Sequence, residues 1–200
     1  MVLYRRNRIA GGTYFFTVTL RDRTSRLLTE SVARLRHSYA EVRSRRPFET
    51  VAIVILPDHL HAIWRLPDGD ADYSGRWRAI KAGFVRNLRR SGIALAMNAT
   101  GEADVWQRRF WEHTIRNDAD LRTHVDYVHW NPVKHGHAAR VREWPHSSFH
   151  RYAREGVLAV DWGGANTWRQ RGGPSESDFP DFAALHPGYG WSEHIAETKV

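Results

Sequence analysis

Cysteine is absent from all 200 residues of the chain. Disulfide bonds and zinc sites built from thiolates are therefore excluded, which fits a reducing cytosol. Long apolar runs are also missing, since no stretch approaches the roughly 20 residues that span a membrane. The opening residues, MVLYRRNRIAGG, lack the apolar core of a signal peptide. We therefore expect a cytoplasmic protein with no membrane partner.

Lysine is scarce, because only 3 of the 30 basic residues are lysines and the other 27 are arginines. Against 22 acidic residues they give a formal net charge of +8. The planar guanidinium group forks onto phosphate oxygens, so this balance favours a polyanionic partner, with nucleic acid ahead of a membrane surface. A codon preference for arginine would give the same composition, so composition alone does not establish a polyanionic partner.

Hydrophobic periodicity predicts four strands and three helices. The predicted strands cover residues 13–20, 50–56, 59–66 and 105–115. The predicted helices cover residues 30–45, 76–90 and 117–132, the last opening with capping residues and closing at Pro132. The order βαββαβα predicts an α+β fold, a ferredoxin-like split βαβ sandwich whose four-stranded antiparallel sheet has helices on one face.

The composition changes near residue 153, where Gly, Ser, Asp and Pro become frequent. We therefore expect a folded domain over residues 1–152 and a C-terminal extension over residues 153–200. Such an extension is ordered only where it docks on the domain.

Two His-x-His pairs occur, and their contexts differ. His59 and His61 lie on a predicted strand, where residues two apart project from the same face, so both imidazoles can converge on one ion. A hydrogen-bonded pair on a polar sheet face is the alternative. His135 and His137 flank a glycine after Pro132 and are predicted to be loop residues.

Tyr127 and Asn131 are four residues apart on the third predicted helix and therefore share a face. This spacing can set a phenol and an amide oxygen beside the histidine pair. The alternatives are a half-buried helix tyrosine and a C-terminal cap before the proline.

Three blocks in order, LPDHLHAIW, WQRRFWEHTIR and HVDYVHWNPVKHG, resemble the REP-associated tyrosine transposases, relatives of the single-tyrosine HUH (IS200-like) transposases. The resemblance runs from GGTYFFTVTL to WPHSSFHRY, about three-quarters of the chain. It implies that residues 1–152 form an HUH transposase domain. It also implies that His59, His61 and Asn131 bind Mg²⁺ or Mn²⁺ and that Tyr127 is the nucleophile.

The resemblance further implies a substrate and a reaction. The substrate is single-stranded DNA at REP-type hairpins, and cleavage leaves a 5′-phosphotyrosine link and a free 3′-OH. A bacterial, nucleoid-associated enzyme is then expected. Basic residues of the N-terminus, the second helix and the 105–115 region are predicted to hold the DNA backbone: Arg5, Arg6, Arg8, Arg76, Arg78, Lys81, Arg86, Arg108 and Arg109.

Several alternatives stay open at this point. Trp77 and Trp111 are either base-stacking groups or core residues, and His124 and His129 are candidates for the base that takes the tyrosine proton. The competing functions are a DNA hairpin-binding protein without turnover and a metal nuclease that uses water. We expect a monomer, although a dimer that exchanges the tyrosine helix is compatible with the sequence.

Overall fold

The protein is described by a computed structural model that covers residues 6–163. Its centre is a four-stranded antiparallel sheet in the order β2-β3-β1-β4. The strands are β1 (Thr13–Thr19), β2 (Glu49–Ile55), β3 (His59–Arg65) and β4 (Trp111–Thr114). The predicted α+β fold with this sheet is confirmed, although β4 is much shorter than the predicted strand over 105–115.

Three long helices accompany the sheet: α2 (Val32–Arg45), α3 (Tyr73–Arg90) and α4 (Asp118–Lys134). The other helical elements of the described residues are two short helices, α1 (Leu27–Glu30) and α5 (Phe149–Arg154), and a 3₁₀ turn (Val141–Glu143). α4 does not end at Pro132 as predicted. A proline in the last turn removes one backbone donor, and the turn still closes through the His135 N–H, which donates to the Asn131 carbonyl.

The two faces of the sheet bury separate apolar clusters. Phe16, Trp64 and their neighbours pack against α2 and α3, where Trp77 is fully buried and stacks on Trp64 with 4.1 Å between ring centroids. Phe15 and Ile63 point the other way and pack against α4. Only two of the three predicted helices therefore lie on the same face of the sheet, and the prediction that all of them share one face is wrong. The strands carry apolar residues on both faces, so both faces have to be covered by helices.

The edge strand β2 is covered by residues 146–148. The Ile55 N–H donates to the His146 carbonyl at 2.9 Å, and the Ser148 N–H donates to the Ile53 carbonyl at 2.8 Å. α5 then continues across residue 152 without a break, and the Trp162 ring lies 6.2 Å from that of His129. The predicted division at residue 152 stays a prediction, since residues 164–200 lie outside the described range.

Within residues 6–163, the structure contains no helix with the length and apolar character needed to cross a membrane.

Candidate active site

His59 and His61 project from β3 toward the face that α4 covers. Both are buried, with 5% and 2% of their surface exposed, and their ring centroids are 5.0 Å apart. The two residues pair with Thr19 and Thr17 of β1, and His61 also pairs with Val54 of β2, so neighbouring strands hold their backbone. The Thr17 hydroxyl lies 2.9 Å from His61 Nδ1 and fixes the orientation of that ring.

Asp58 performs the same task for His59. One oxygen of its carboxylate lies 2.8 Å from His59 Nδ1, and the other forms an ion pair with Arg23, 2.9 Å from its Nε. Burial lowers the pKa of His59, and Asp58 opposes this shift in part. The pKa of His61 is lowered well below its ordinary value, by burial and by the positive charge that His59 carries when it is protonated. Both rings are therefore neutral at neutral pH. With Nδ1 engaged in each ring, Nε2 is the nitrogen that an ion would contact.

Tyr127 reaches this pair from α4. The helix begins at Asp118 because the Asn117 side chain caps it, accepting from the Asp120 N–H at 2.9 Å. Val125 and Val128 pack on the sheet and set the helix rotation. The Tyr127 ring is consequently 4% exposed and lies 5.2 Å from the His61 ring.

Asn131 lies one turn after Tyr127 and is completely buried. Neither amide atom has a hydrogen-bond partner with good geometry among the described residues, although the amide is near enough to His59 to oppose in part the lowering of the pKa of that histidine. An unsatisfied buried amide is costly, so it indicates a ligand that supplies the missing contact. Two imidazoles and an amide oxygen are a donor set that fits a divalent ion completed by water and phosphate oxygens.

Two neighbours of this group were not predicted as site residues. Lys134 places its Nζ 5.3 Å from the centre of the Tyr127 ring. Lys134 follows Tyr127 by seven residues, or two helical turns, so the same helical periodicity that places Asn131 beside Tyr127 also places Lys134 on that face. His135, predicted to lie in a loop, ends α4 with its ring 5.4 Å from that of His59. It could be found only by knowing that the helix passes through Pro132.

A cavity of about 310 Å³ opens beside His59. Three segments form its walls: residues 23–26 before α1, residues 57–59 at the start of β3, and residues 135–137 after α4. The charged and titratable residues that line it are Arg23, Arg26, Asp58, His59, His135 and His137.

The two predicted bases do not lie where that role requires. His129 is fully buried, and its Nε2 lies 2.9 Å from the Ser148 hydroxyl, on the side of α4 that packs against α5. His124 Nδ1 donates to the Asp120 backbone carbonyl at 2.8 Å and lies 3.0 Å from the Asp120 carboxylate. Sequence spacing could not separate these histidines, because the rotation of α4 decides which of them faces the sheet.

The predicted DNA-binding residues divide into three groups. Arg76 requires a correction, because it is 2% exposed and its guanidinium donates within the protein, to Asp70 and to the carbonyls of Pro47 and Arg46. Arg6 and Lys81 are partly buried, Arg6 against Phe110 and Lys81 donating to the Gln107 carbonyl at 2.6 Å. The exposed members are Arg8, Arg78, Arg86, Arg108 and Arg109, while Arg5 lies outside the described residues.

A basic groove of about 660 Å³ runs between α3 and residues 101–106. Trp106 forms part of its lining, and the cations along it are Lys81, Arg86, Arg89 and Arg90. Of the two tryptophans considered for base stacking, Trp77 is a core residue, and Trp111 packs on Phe15 at 5.7 Å.

No protein-family model matches the chain. A REP-associated tyrosine transposase of Escherichia coli (strain K12) is 50% identical to it over 161 residues, which cover 80% of this chain and 90% of that protein. A relative from Haemophilus influenzae is 46% identical over 163 residues. A solved structure of a REP-associated tyrosine transposase bound to a REP hairpin is 49% identical, with a TM-score of 0.73, and the match covers 84% of this chain and 94% of that one. Identity at this level over most of both chains shows that the chain belongs to the REP-associated tyrosine transposases, a family of DNA-nicking and DNA-joining enzymes.

Proposed function

We propose that Tyr127 cleaves single-stranded DNA by attacking a backbone phosphate and forming a 5′-phosphotyrosine link. The phenol oxygen bonds to phosphorus, the bond from phosphorus to O3′ breaks, and O3′ takes up a proton to become a free 3′-OH. The phosphodiester energy is kept in the protein–DNA bond, so another 3′-OH can reverse the step without ATP. The observation that carries this proposal is the Tyr127 ring beside His61 within one chain.

His59, His61 and Asn131 would hold a divalent ion, Mg²⁺ or Mn²⁺. Bound there, the ion would supply positive charge to the phosphate oxygens, which otherwise repel a nucleophile. Asp58 and Thr17 orient the two imidazoles from behind, as hydrogen-bonded groups around metal ligands commonly do. Lys134 would add a second cation beside Tyr127, 5.3 Å from the centre of its ring, where positive charge would stabilise the negative charge of the transition state.

The substrate we propose is a REP-type hairpin with a single-stranded flank. The related transposase of known structure is bound to such a hairpin, and the exposed arginines of this chain give it the charge for a DNA backbone. A flexible single strand can bring one phosphate into the cavity beside His59, which a rigid duplex cannot enter. A DNA substrate would also place the enzyme at the bacterial nucleoid, as expected above.

The test is a denaturing gel of protein incubated with hairpin oligonucleotides from its own genome and either Mg²⁺ or Mn²⁺. The label is placed at the 3′ end, because the fragment downstream of the cut is the one that stays on the tyrosine. We expect label to migrate with wild-type protein and not with Tyr127→Phe. Tyr152→Phe is the matched control, since it removes a phenol oxygen that donates only to the Val51 carbonyl.

Two other results would replace the proposal. Cleavage without a labelled protein band, retained in Tyr127→Phe, would identify a nuclease that uses water. Tight hairpin binding with no cleavage under any metal condition would identify a DNA-binding protein that has lost turnover.

A further inference from the structure

A second group of polar side chains connects the start of α4 to β4. Asp120 lies in the first turns of α4, and its carboxylate lies 2.9 Å from Nε2 of His113 on β4 and 3.0 Å from Nδ1 of His124. The Arg116 N–H, in the connection between strand and helix, donates to the same carboxylate at 2.9 Å. One carboxylate of the helix therefore accepts from the strand and from the connection. His124 Nδ1 also donates to the Asp120 backbone carbonyl at 2.8 Å.

The charge state of Asp120 suits this role. Burial alone would raise its pKa, but the hydrogen bonds from His113 and Arg116 outweigh burial and lower the pKa below its ordinary value. An ionised carboxylate forms stronger hydrogen bonds than a neutral acceptor, so the contacts are worth more than ordinary surface contacts.

The ring geometry argues against a metal site here. Possible ligand atoms of His113, Asp120 and His124 lie within 4.8 Å of one another, close enough to share an ion. However, the two imidazole rings are stacked, with 4.6 Å between centroids and 12° between planes. An imidazole lone pair lies in the ring plane, and an ion between two stacked rings would lie well outside both planes. The group is therefore better described as a hydrogen-bonded network.

The network acts on the part of α4 that the apolar core does not hold. The buried apolar residues of α4 begin at Val125, and Leu121 before them is only partly buried. The network lies close to the site, because His124 precedes Tyr127 by three residues on the same face of α4. The Phe15 ring lies 5.0 Å from that of His124 and 5.9 Å from that of Tyr127.

We propose that Asp120, together with His113 and His124, is a positioning network that fixes α4 on the sheet and so orients the Tyr127 hydroxyl. This inference rests on the proposed function of Tyr127. The three residues do not contact the reacting phosphate, and they act through the placement of the helix. A misplacement of about 1 Å in a nucleophile can cost a factor of about 100 in rate.

The first test compares Asp120→Ala with Asp118→Ala, which removes an exposed carboxylate from the same helix turn. At saturating hairpin, we expect the single-turnover rate of protein–DNA adduct formation to fall at least tenfold in Asp120→Ala and less than twofold in Asp118→Ala. Hairpin affinity should change less than twofold in both. His113→Ala should slow the reaction too, and the double variant should be little slower than Asp120→Ala, because the residues act as a unit.

The second test does not need activity. Amide hydrogen exchange of residues 116–124 should become faster in Asp120→Ala, while exchange of residues 59–65 stays unchanged. If wild-type protein forms no adduct, the proposed function fails, and the exchange experiment still decides whether the network holds α4.

Three outcomes would overturn the network proposal. They are an unchanged exchange rate in residues 116–124, an adduct rate within twofold of wild type in Asp120→Ala, and a rise in melting temperature with Zn²⁺ that His113→Ala abolishes and His59→Ala retains.

Discussion

Asp126 is a carboxyl group in an unfavourable environment, one residue before the proposed nucleophile. Burial raises its pKa to about 6, and Arg122 opposes this only in part. In an unfolded chain the pKa of such a group is about 3.9. Folding therefore takes up a proton between about pH 4 and pH 6, and the contribution of Asp126 to stability is lost as the pH rises through this range.

We expect Asp126→Asn to raise the free energy of unfolding at pH 7.5 by about 1 kcal/mol, because the amide has no charge to desolvate and solvent screens part of the shift at this half-buried position. At pH 4 the gain should vanish. Urea titrations of both proteins at the two pH values measure the difference, and Asp118→Asn, at an exposed position, should show no gain at either. An equal gain at both pH values would mean that packing, and not charge, is responsible.

Lys134 offers a prediction about the chemical step. Because its Nζ lies over the Tyr127 ring, we expect Lys134→Gln to lower the rate of adduct formation at saturating hairpin about tenfold or more. Lys134→Arg keeps the positive charge and should retain more of the rate. Single-turnover kinetics check both, and a loss confined to hairpin affinity would show that Lys134 only binds DNA.

The shared faces of the four proposed site residues could be predicted from local periodicity, but the direction in which a cationic side chain of α3 points could not. The period of two along β3 puts His59 and His61 on one face, and the helical period puts Tyr127 and Asn131 on one face. The structure brings these four together, and their roles stay predictions. Arg76 has the same local signature as Arg78, but Arg76 points inward onto Asp70, and only the rotation of the whole helix reveals this.

At the scale of the element, α3 serves two purposes on two faces. Its inner face buries Trp77 and Phe84, while its outer face carries the cations of the basic groove. Its length was predicted well because the apolar stripe is regular. β4 was predicted too long, because Trp106 and Phe110 are apolar yet pack outside the sheet ladder and contribute to the core from irregular backbone.

The groove on α3 predicts a salt-dependent effect. We expect Arg86→Ala and Arg89→Ala to weaken binding of all hairpins similarly, and each to reduce the slope of log affinity against log salt by about 0.9 if it removes one phosphate contact. Arg65→Ala, an exposed arginine paired with Glu49, is the control and should leave the slope unchanged. A changed preference among hairpin sequences with an unchanged slope would indicate contacts to bases instead.

At the scale of the whole molecule, one chain supplies every proposed site residue. Only residues 115–117 separate β4 from α4, and Asp120 contacts both ends of this connection. We therefore expect a mixture of Tyr127→Phe and His59→Ala proteins to form no adduct. Two chains that exchanged α4 would rebuild one complete site, so recovery of activity on mixing, measured with the labelled hairpin, would contradict assembly within one chain.

The sheet itself has one long edge strand, β2, and residues 146–148 occupy its outer side. Open edge strands are templates on which a second molecule can add a strand, and this leads to aggregation. A chain ending at Pro145 would keep all the proposed catalytic residues but expose the β2 backbone. Such a truncated protein should lose solubility at high concentration before it loses its fold, because residues 146–148 would no longer shield the β2 edge from pairing with another molecule.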